Sequence, residues 1–484
     1  MTQVDDRVHT LDVPFVLRGR VIADPVVEHR VGNLVFRTPD PHDLLDRLPL
    51  DSRIGMTDLH AITIDDIIDF LGALGARLRL ATNVHLQEAL SITANASNLT
   101  ESVVRVVYEE QLGRFFQPAR IRDAVERRLG RAYLEGWVPE AGVDGRDLRV
   151  RAFGARTTHV VAGNSPGVSA QTIVRNAITR SDAIIKTPAN DPVTAVAILR
   201  TMVDLDPDHP LTRHVSAVHW RGGDELVERV VYSSPNIDKI VAWGGTSAIR
   251  HVARFVGPGV ELIALDPKIS ISLLGREVLD DAGLGAEAAR RLALDVGTMN
   301  QEACVSARVA YVVVDDLGDS MPAVRRFAEA VFAEVKALPG SQSSPVDRLP
   351  ADLRDEVETA LLVGEPEVVG GGTGAGGVLI SCDGRPVDYT ASLAARYVNL
   401  VPITDVAQVV ERISSTTQTC GVFPAELRES LRDVLAIAGV QRIATLGMAA
   451  GGGDNQAIPQ DGIEVLRRMC RWIVDEGDAR EQAG

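Results

Sequence analysis

The stretch that decides the fold is THVVAGNSPGVSAQTIVRNAITRSDAIIK, residues 158–186. THVVAGN reads as a strand that breaks into a loop. VSAQTIVRNAITR carries apolar residues at helical spacing, and DAIIK returns to a short strand. The rhythm continues downstream with PVTAVAILRTMV as helix, HVSAVHW as strand, DELVERVVYS as helix, DKIVAW as strand, TSAIRHVARFV as helix and VELIAL as strand. The strands are continuous apolar runs, which predicts a parallel sheet covered on both faces. In outline this is a doubly wound nucleotide-binding architecture, in which ligands bind outside the carboxyl ends of the strands.

The flanks are read in the same way. Residues 1 to about 40 give short strands, FVLRGRVIAD and VEHRVGNLVFRTPD, with Gly32-Asn33 as a hairpin turn. From Ile64 to about Leu134 the pattern is helical and amphipathic. A second α/β segment follows: helix over 283–299, strand over 308–314, helix over 319–337, then the polar loop LPGSQSSPVDRLPADLR. The tail DGIEVLRRMCRWIVDEG predicts one amphipathic helix with Asp461 as N-cap.

The chain has 484 residues, enough for two or three domains. A net charge of −16 argues against general binding to nucleic acid or anionic membrane. No apolar run approaches the ~20 residues that span a bilayer. The polar start MTQVDDRVHT lacks a signal-peptide apolar region, so a cytoplasmic protein is expected. The four cysteines, at 304, 382, 420 and 470, form no CxxC pair, so neither a metal site nor a disulfide framework is expected.

Cys304 lies in TMNQEACVSARVAYVVVDD (298–316), behind a polar approach and at the edge of a strand-like run. An inert core cysteine belongs inside such a run; a thiol at its edge is a candidate nucleophile. AGNSPGVSAQ (162–171) puts Asn164 at a strand's C-terminal end, where its amide can donate to a developing oxyanion, although Asn-Ser-Pro-Gly is also ordinary turn chemistry. KTPANDP (186–192) puts Lys186 at the next strand end. WGGTSAIRHV (243–252) runs from a strand through Gly244-Gly245-Thr246 into a helix whose free N–H groups suit a phosphate; a plain turn has the same letters. GTGAGG (372–377) matches a dinucleotide fingerprint by letter, but VLISC after it reads as a strand, so a loop between strands is expected. GMAAGGGDNQ (447–456) also lacks the strand–glycine–helix context and reads as a loop.

Taken in order, these segments resemble the aldehyde dehydrogenase superfamily from about 158 to 315, with a weaker return in TQTCGVFPAEL near 420, where Cys420 occupies a structural slot. The hydrolytic members carry a glutamate in Glu-Leu-Gly-Gly-Lys; the matching stretch here is ALDPK (264–268), with Ala264 in its place. Glu261 and Glu302 are the nearby carboxylates that would have to substitute. GNSPG, DPK, NQEAC and the closing DGIEVLRRMCRW narrow the likeness, so the chain resembles the acyl-CoA reductases of the LuxC type, which make fatty aldehyde.

That resemblance implies an aldehyde dehydrogenase-like α/β fold: a doubly wound nucleotide-binding domain plus a second α/β catalytic domain. The expected divisions are 1–155 (N-terminal strands and helices packing on the cofactor domain), 156–282 (dinucleotide binding), 283–440 (the cysteine domain) and 441–484 (a return segment and helix). It implies NADPH-dependent reduction of an acyl thioester, from acyl-CoA or an acylated carrier or partner protein, through a thioacyl-Cys304 intermediate with Asn164 as oxyanion donor. Lys186 and Gly244-Gly245-Thr246 are expected to hold the cofactor. Ala189 replaces a glutamate common in NAD-preferring relatives, which favours NADP, with Asp191 as the nearby carboxylate that argues the other way. A homo-oligomer is implied. The alternatives are an oxidative aldehyde dehydrogenase, an acyl-phosphate semialdehyde reductase, or a cysteine acyltransferase without redox chemistry.

Overall fold

The computed structural model describes residues 10–31, 34–141, 146–371, 374–450 and 458–477. These described residues fall into two compact units, the first within Met1–Ser97, Val107–Asp266 and Asp454–Gly484, the second within Asn98–Val106 and Pro267–Gly453.

In the first unit the apolar runs become one seven-stranded sheet. Its order is Glu261–Leu265, Lys239–Trp243, Arg156–Val160, Asp182–Lys186, Val215–Val218, Phe15–Leu17, Arg20–Ile22. The five strands from the alternating region are parallel; the N-terminal pair adds antiparallel as a hairpin. The chain runs outward one way from Arg156–Val160 and then returns to its other side with Lys239–Trp243, so the topological switch point lies between these two strands. Every residue of Arg156–Val160 is buried, as a strand covered on both faces requires. The Ile64–Arg77 helix starts at a capping box: Asp66 N–H donates to Thr63 Oγ1 at 3.1 Å and Thr63 N–H to Asp66 Oδ2 at 2.9 Å.

Val27–Val31 and Leu34–Thr38 pair antiparallel with Val31 opposite Leu34; the Gly32-Asn33 turn between them lies outside the described residues. A further antiparallel sheet joins Val138–Ala141, Asp147–Phe153 and Arg471–Gly477. This overturns the single terminal helix expected for the tail. Only Val465–Met469 is helical; Cys470 turns extended (φ −83°, ψ 158°), and the next seven residues pair with Asp147–Phe153. Asp461 is not the N-cap either: it sits in a turn at φ 51°, and Glu464 precedes the helix. The helical spacing of 465–469 does not continue beyond Met469, because a ready-made strand edge supplies hydrogen bonds that override it.

The second unit is built on another seven-stranded sheet, in the order Glu367–Gly370, Gly377–Ile380, Tyr397–Ile403, Ala307–Val313, Ile269–Leu274, Thr417–Phe423, Arg442–Thr445. Only Glu367–Gly370 is antiparallel. The Ala282–Gly297 and Leu317–Ala337 helices cover it through Leu292, Val296, Phe327 and Val331. GTGAGG spans the connection between Glu367–Gly370 and Gly377–Ile380, and its Gly372 and Thr373 lie outside the described residues. Of the later glycine-rich run, 447–450 is described and 451–457 is not. No helix among the described residues is long and apolar enough to cross a membrane.

Candidate active site

In the first unit three of the singled-out segments come together at one edge of the sheet. Asn164 follows Arg156–Val160, Lys186 ends Asp182–Lys186, and Gly244-Gly245 follows Lys239–Trp243. Val160 pairs with Lys186, and Ala242 with Val160, so these are carboxyl ends of adjacent parallel strands. The Asn164 loop and the double glycine flank the switch point, where ligands of such sheets lie.

Local chemistry shapes this edge. Pro166 starts the Pro166–Ile178 helix directly after the Asn164 turn. A Cβ on Gly163 would lie 2.0 Å from Asn190 Oδ1, so a side chain there would have to push the Asn190 side chain aside. The Thr246–Ala253 helix has Gly245 at its N-cap and no side chain capping its first turn. A Cβ on Gly245 would meet no atom within 4 Å. The first turn's N–H groups thus have no side-chain cap, and the space beside Gly245 is open, a setting that suits a phosphate.

Lys186 Nζ sits 5.5 Å from the centroid of the buried Trp220 ring, and burial lowers its pKa to about 8. The buried Glu228 carboxylate faces it and is itself held by Gly223 N–H at 3.1 Å and His251 Nε2 at 2.7 Å. Asp191 turns inward: its Oδ1 accepts from Thr194 N–H (3.0 Å), Thr194 Oγ1 (2.7 Å) and Thr93 Oγ1 (3.3 Å), and the residue is 1% exposed. Asp191 thus binds the first N–H of the Thr194–Leu205 helix, whose N-cap residue is Val193.

Cys304 belongs to the second unit, in the turn between Ala282–Gly297 and Ala307–Val313. The polar approach explains itself there. Met299, Asn300 and Gln301 all have positive φ (56°, 52° and 67°), a conformation costing about 1–3 kcal/mol at each non-glycine residue. Their neighbours hold them in it. Asn300 Oδ1 accepts from Ser344 N–H (2.8 Å) and Ser343 Oγ (3.2 Å). Gln301 Nε2 donates to the carbonyls of Ala307 (2.9 Å) and Tyr397 (2.7 Å), and its Oε1 accepts Tyr397 N–H (3.0 Å). Ser270 Oγ donates to the Cys304 carbonyl at 2.8 Å. The backbone delivering the thiol is therefore fixed on both sides.

The four thiols differ. Cys420 and Cys470 are buried, and burial pushes both up to about 12. Cys382 is exposed, and its pKa is raised by partial burial and by Glu365 and Glu367. Cys304 alone is both partly exposed and within electrostatic reach of two guanidinium groups, those of Arg308 and Arg442. Ser270, Arg308 and Arg442 escaped the sequence reading because each arrives from a strand core or strand end with no motif around it.

The two carboxylates nearest in sequence to the Ala264 and Cys304 positions are otherwise engaged. Glu261 opens its strand, at the end opposite the Lys186 and Gly244-Gly245 edge, and is bound by Lys239 Nζ (2.6 Å) and Arg468 Nε (2.8 Å). Ala264 lies near the carboxyl end of the same strand. Glu302 is bonded by Asn98 and faces Arg308, and burial raises its pKa. Among the described residues no group of three His, Cys, Asp or Glu side chains could hold a metal ion.

Solved structures define the class. The chain resembles NADP-dependent glyceraldehyde-3-phosphate dehydrogenase from Bacillus halodurans C-125, in complex with NADP (TM-score 0.74, 12% identity, 97% of this chain and 100% of that one). It also resembles aldehyde dehydrogenase 21 from Physcomitrella patens (TM-score 0.74, 13% identity, 98% and 99%). The fold is that of the aldehyde dehydrogenases. Within it, the model of the acyl-CoA reductase (LuxC) family matches residues 59–472, and the chain belongs to that family of oxidoreductases. It is similar to the long-chain acyl-protein thioester reductases of Vibrio harveyi (25% identity, 96% of this chain and 93% of the relative) and Photorhabdus luminescens (26%, 96% and 93%).

Proposed function

We propose that this enzyme reduces an acyl thioester, presented by coenzyme A or an acylated protein, to the aldehyde through a thioacyl intermediate on Cys304, with NADPH as reductant. The observation that carries the reading is Cys304 itself, a partly exposed thiol within electrostatic reach of two guanidinium groups on a turn fixed from both sides. The Cys304 thiolate attacks the thioester carbonyl, the new C–S bond forms, and the donor thiolate leaves and takes a proton from water. The Cys304 N–H is one donor to the oxyanion, and Asn164 Nδ2 is the side-chain donor that the family resemblance implies. A bound reduced nicotinamide dinucleotide supplies a hydride to the thioacyl carbon. The resulting thiohemiacetal on Cys304 collapses, breaking the C–S bond to release aldehyde and the thiolate.

The first unit's edge fits such a dinucleotide. The uncapped turn at Gly245-Thr246 and the open space over Gly245 suit the pyrophosphate, and Lys186 suits the ribose. NADPH is favoured over NADH because Ala189 carries no charge and the Asp191 carboxylate is buried among Thr93 and Thr194. Hydrolysis of the intermediate is disfavoured by Ala264 and by the engagement of Glu261 and Glu302.

The test is NADPH oxidation over a panel of acyl-CoA chain lengths, with the reverse reaction run from aldehyde with and without coenzyme A. Thiol-dependent reversal supports a reductase; thiol-independent release of free acid contradicts it. Lys186→Met is expected to raise KM for NADPH roughly tenfold, as loss of one charged hydrogen bond does, while acylation of Cys304 without cofactor proceeds unchanged. The pH dependence follows from the lowered Lys186 pKa: the ammonium is lost as pH rises through about 8, so KM for NADPH should climb there in the parent and stay flat in Lys186→Met. A parent KM level from pH 7 to 9 would remove Lys186 from the site.

A further inference from the structure

We propose that Arg308 and Arg442 act as positioning residues that hold Cys304 as its reactive thiolate. This rests on the reading of Cys304 as the nucleophile and adds what activates it.

The geometry is that of one sheet edge. Arg308 stands second in the Ala307–Val313 strand, four residues beyond Cys304, and Arg442 opens Arg442–Thr445. In register, Ala307 pairs with Ser270 and Arg442 with Thr419. Ser270 Oγ joins the two sides: it donates to the Cys304 carbonyl at 2.8 Å and accepts Thr419 N–H at 3.3 Å. The amino ends of four adjacent strands, counting across from Ala307–Val313 to Arg442–Thr445, therefore gather both arginines at the edge where the Cys304 turn enters.

Each guanidinium is anchored by main-chain carbonyls. Arg308 Nη1 donates to the carbonyls of Ala391 (2.9 Å) and Leu393; Arg442 donates to those of Ala449 (2.7 Å) and Met448 (3.0 Å). Carbonyls fix a guanidinium without cancelling its charge. The charged groups facing the pair are Glu302 on Arg308's side and Asp295 on Arg442's side. Asp295, with its pKa pushed up to about 6 by burial, spends its oxygens on Gly447 N–H and Ala449 N–H, both at 2.8 Å, and so ties down the segment that anchors Arg442. Burial lowers the pKa of both arginines, and in each case the Cys304 charge acts in the opposite direction. By reciprocity each arginine favours the thiolate.

The remaining three cysteines make the test internal. The rate of iodoacetamide alkylation of the Cys304 peptide is followed against pH by mass spectrometry in the full chain. Cys382, which is exposed, serves as the reference, and the buried Cys420 and Cys470 report unfolding. Arg442→Gln and Arg308→Gln are each expected to raise the Cys304 midpoint by about one pH unit, so that alkylation at pH 7 slows roughly tenfold. The Cys382 profile should stay in place. Arg442→Lys, which keeps the charge, should restore most of the shift; a purely structural role would leave lysine no better than glutamine. An unmoved Cys304 midpoint in a glutamine variant whose Cys420 and Cys470 remain protected overturns the role of that arginine. Arginine-dependent alkylation without any acyl adduct on Cys304 would instead remove the nucleophile reading and leave the activation standing.

Discussion

Cys304→Ala is expected to abolish acyl-thioester reduction, with the steady-state rate of NADPH oxidation falling by on the order of 10⁴–10⁶, the loss seen when a covalent nucleophile is removed. The reason is positional: the donor and acyl-Cys304 are thioesters of like reactivity, and only transfer to Cys304 fixes the carbonyl to the protein in one orientation for hydride transfer. Folding should be almost unaffected. Cys304 is partly exposed, and the turn that carries it is held through Asn300, Gln301 and Ser270. Substituting a side chain at such a position changes stability by about 0.5 kcal/mol or less. Thermal melting alongside initial rates separates the two effects. A Cys304→Ala protein that melts like the parent and turns over at a tenth of its rate would end the covalent mechanism.

Asn164→Ala is expected to lower the same rate by about 10²–10³, the usual cost of one oxyanion donor. Single-turnover kinetics should show the loss in acylation of Cys304, because the oxyanion forms already at the first attack. Asn164→Asp should be worse than alanine, since a carboxylate repels the charge that the amide stabilises. If Asn164 were only a turn residue, aspartate would be the gentlest replacement, being equally suited to that geometry. The order of the two variants therefore distinguishes catalysis from turn-making.

Much of the fold was legible because its signal is local. The buried runs of 158–265 alternate with helices at short intervals, and a parallel sheet with both faces covered leaves few other ways to place them. Lys186 and Gly244-Gly245 could be placed at strand ends because the strands themselves could be placed. The tail was misread because Val465–Met469 satisfies helical spacing, whereas the pairing of Arg471–Gly477 with Asp147–Phe153 is recorded more than 300 residues away. Asp191 looked threatening in sequence, two residues from Ala189. Only the helix packing, which brings Thr93 against it, shows that its charge is turned inward.

The site divides along the same line. Cys304 announced itself by standing at the edge of an apolar run. Arg308 and Arg442 had no such context, since a lone arginine at a strand's start reads as a solvated end until the sheet order brings Ser270 and Thr419 between them and the thiol. The strained backbone at Met299–Gln301 was likewise invisible, because its cost is met by Ser343, Ser344 and Tyr397, distant in sequence.

The most direct measurement is mass spectrometry of the full-length protein after incubation with a long-chain acyl-CoA and no nicotinamide. The account predicts one acyl group per chain, mapped to the Cys304 peptide, and its discharge as an equivalent amount of aldehyde once NADPH is added. An acyl group found on another residue, or one on Cys304 that NADPH leaves in place while free acid accumulates, would contradict it.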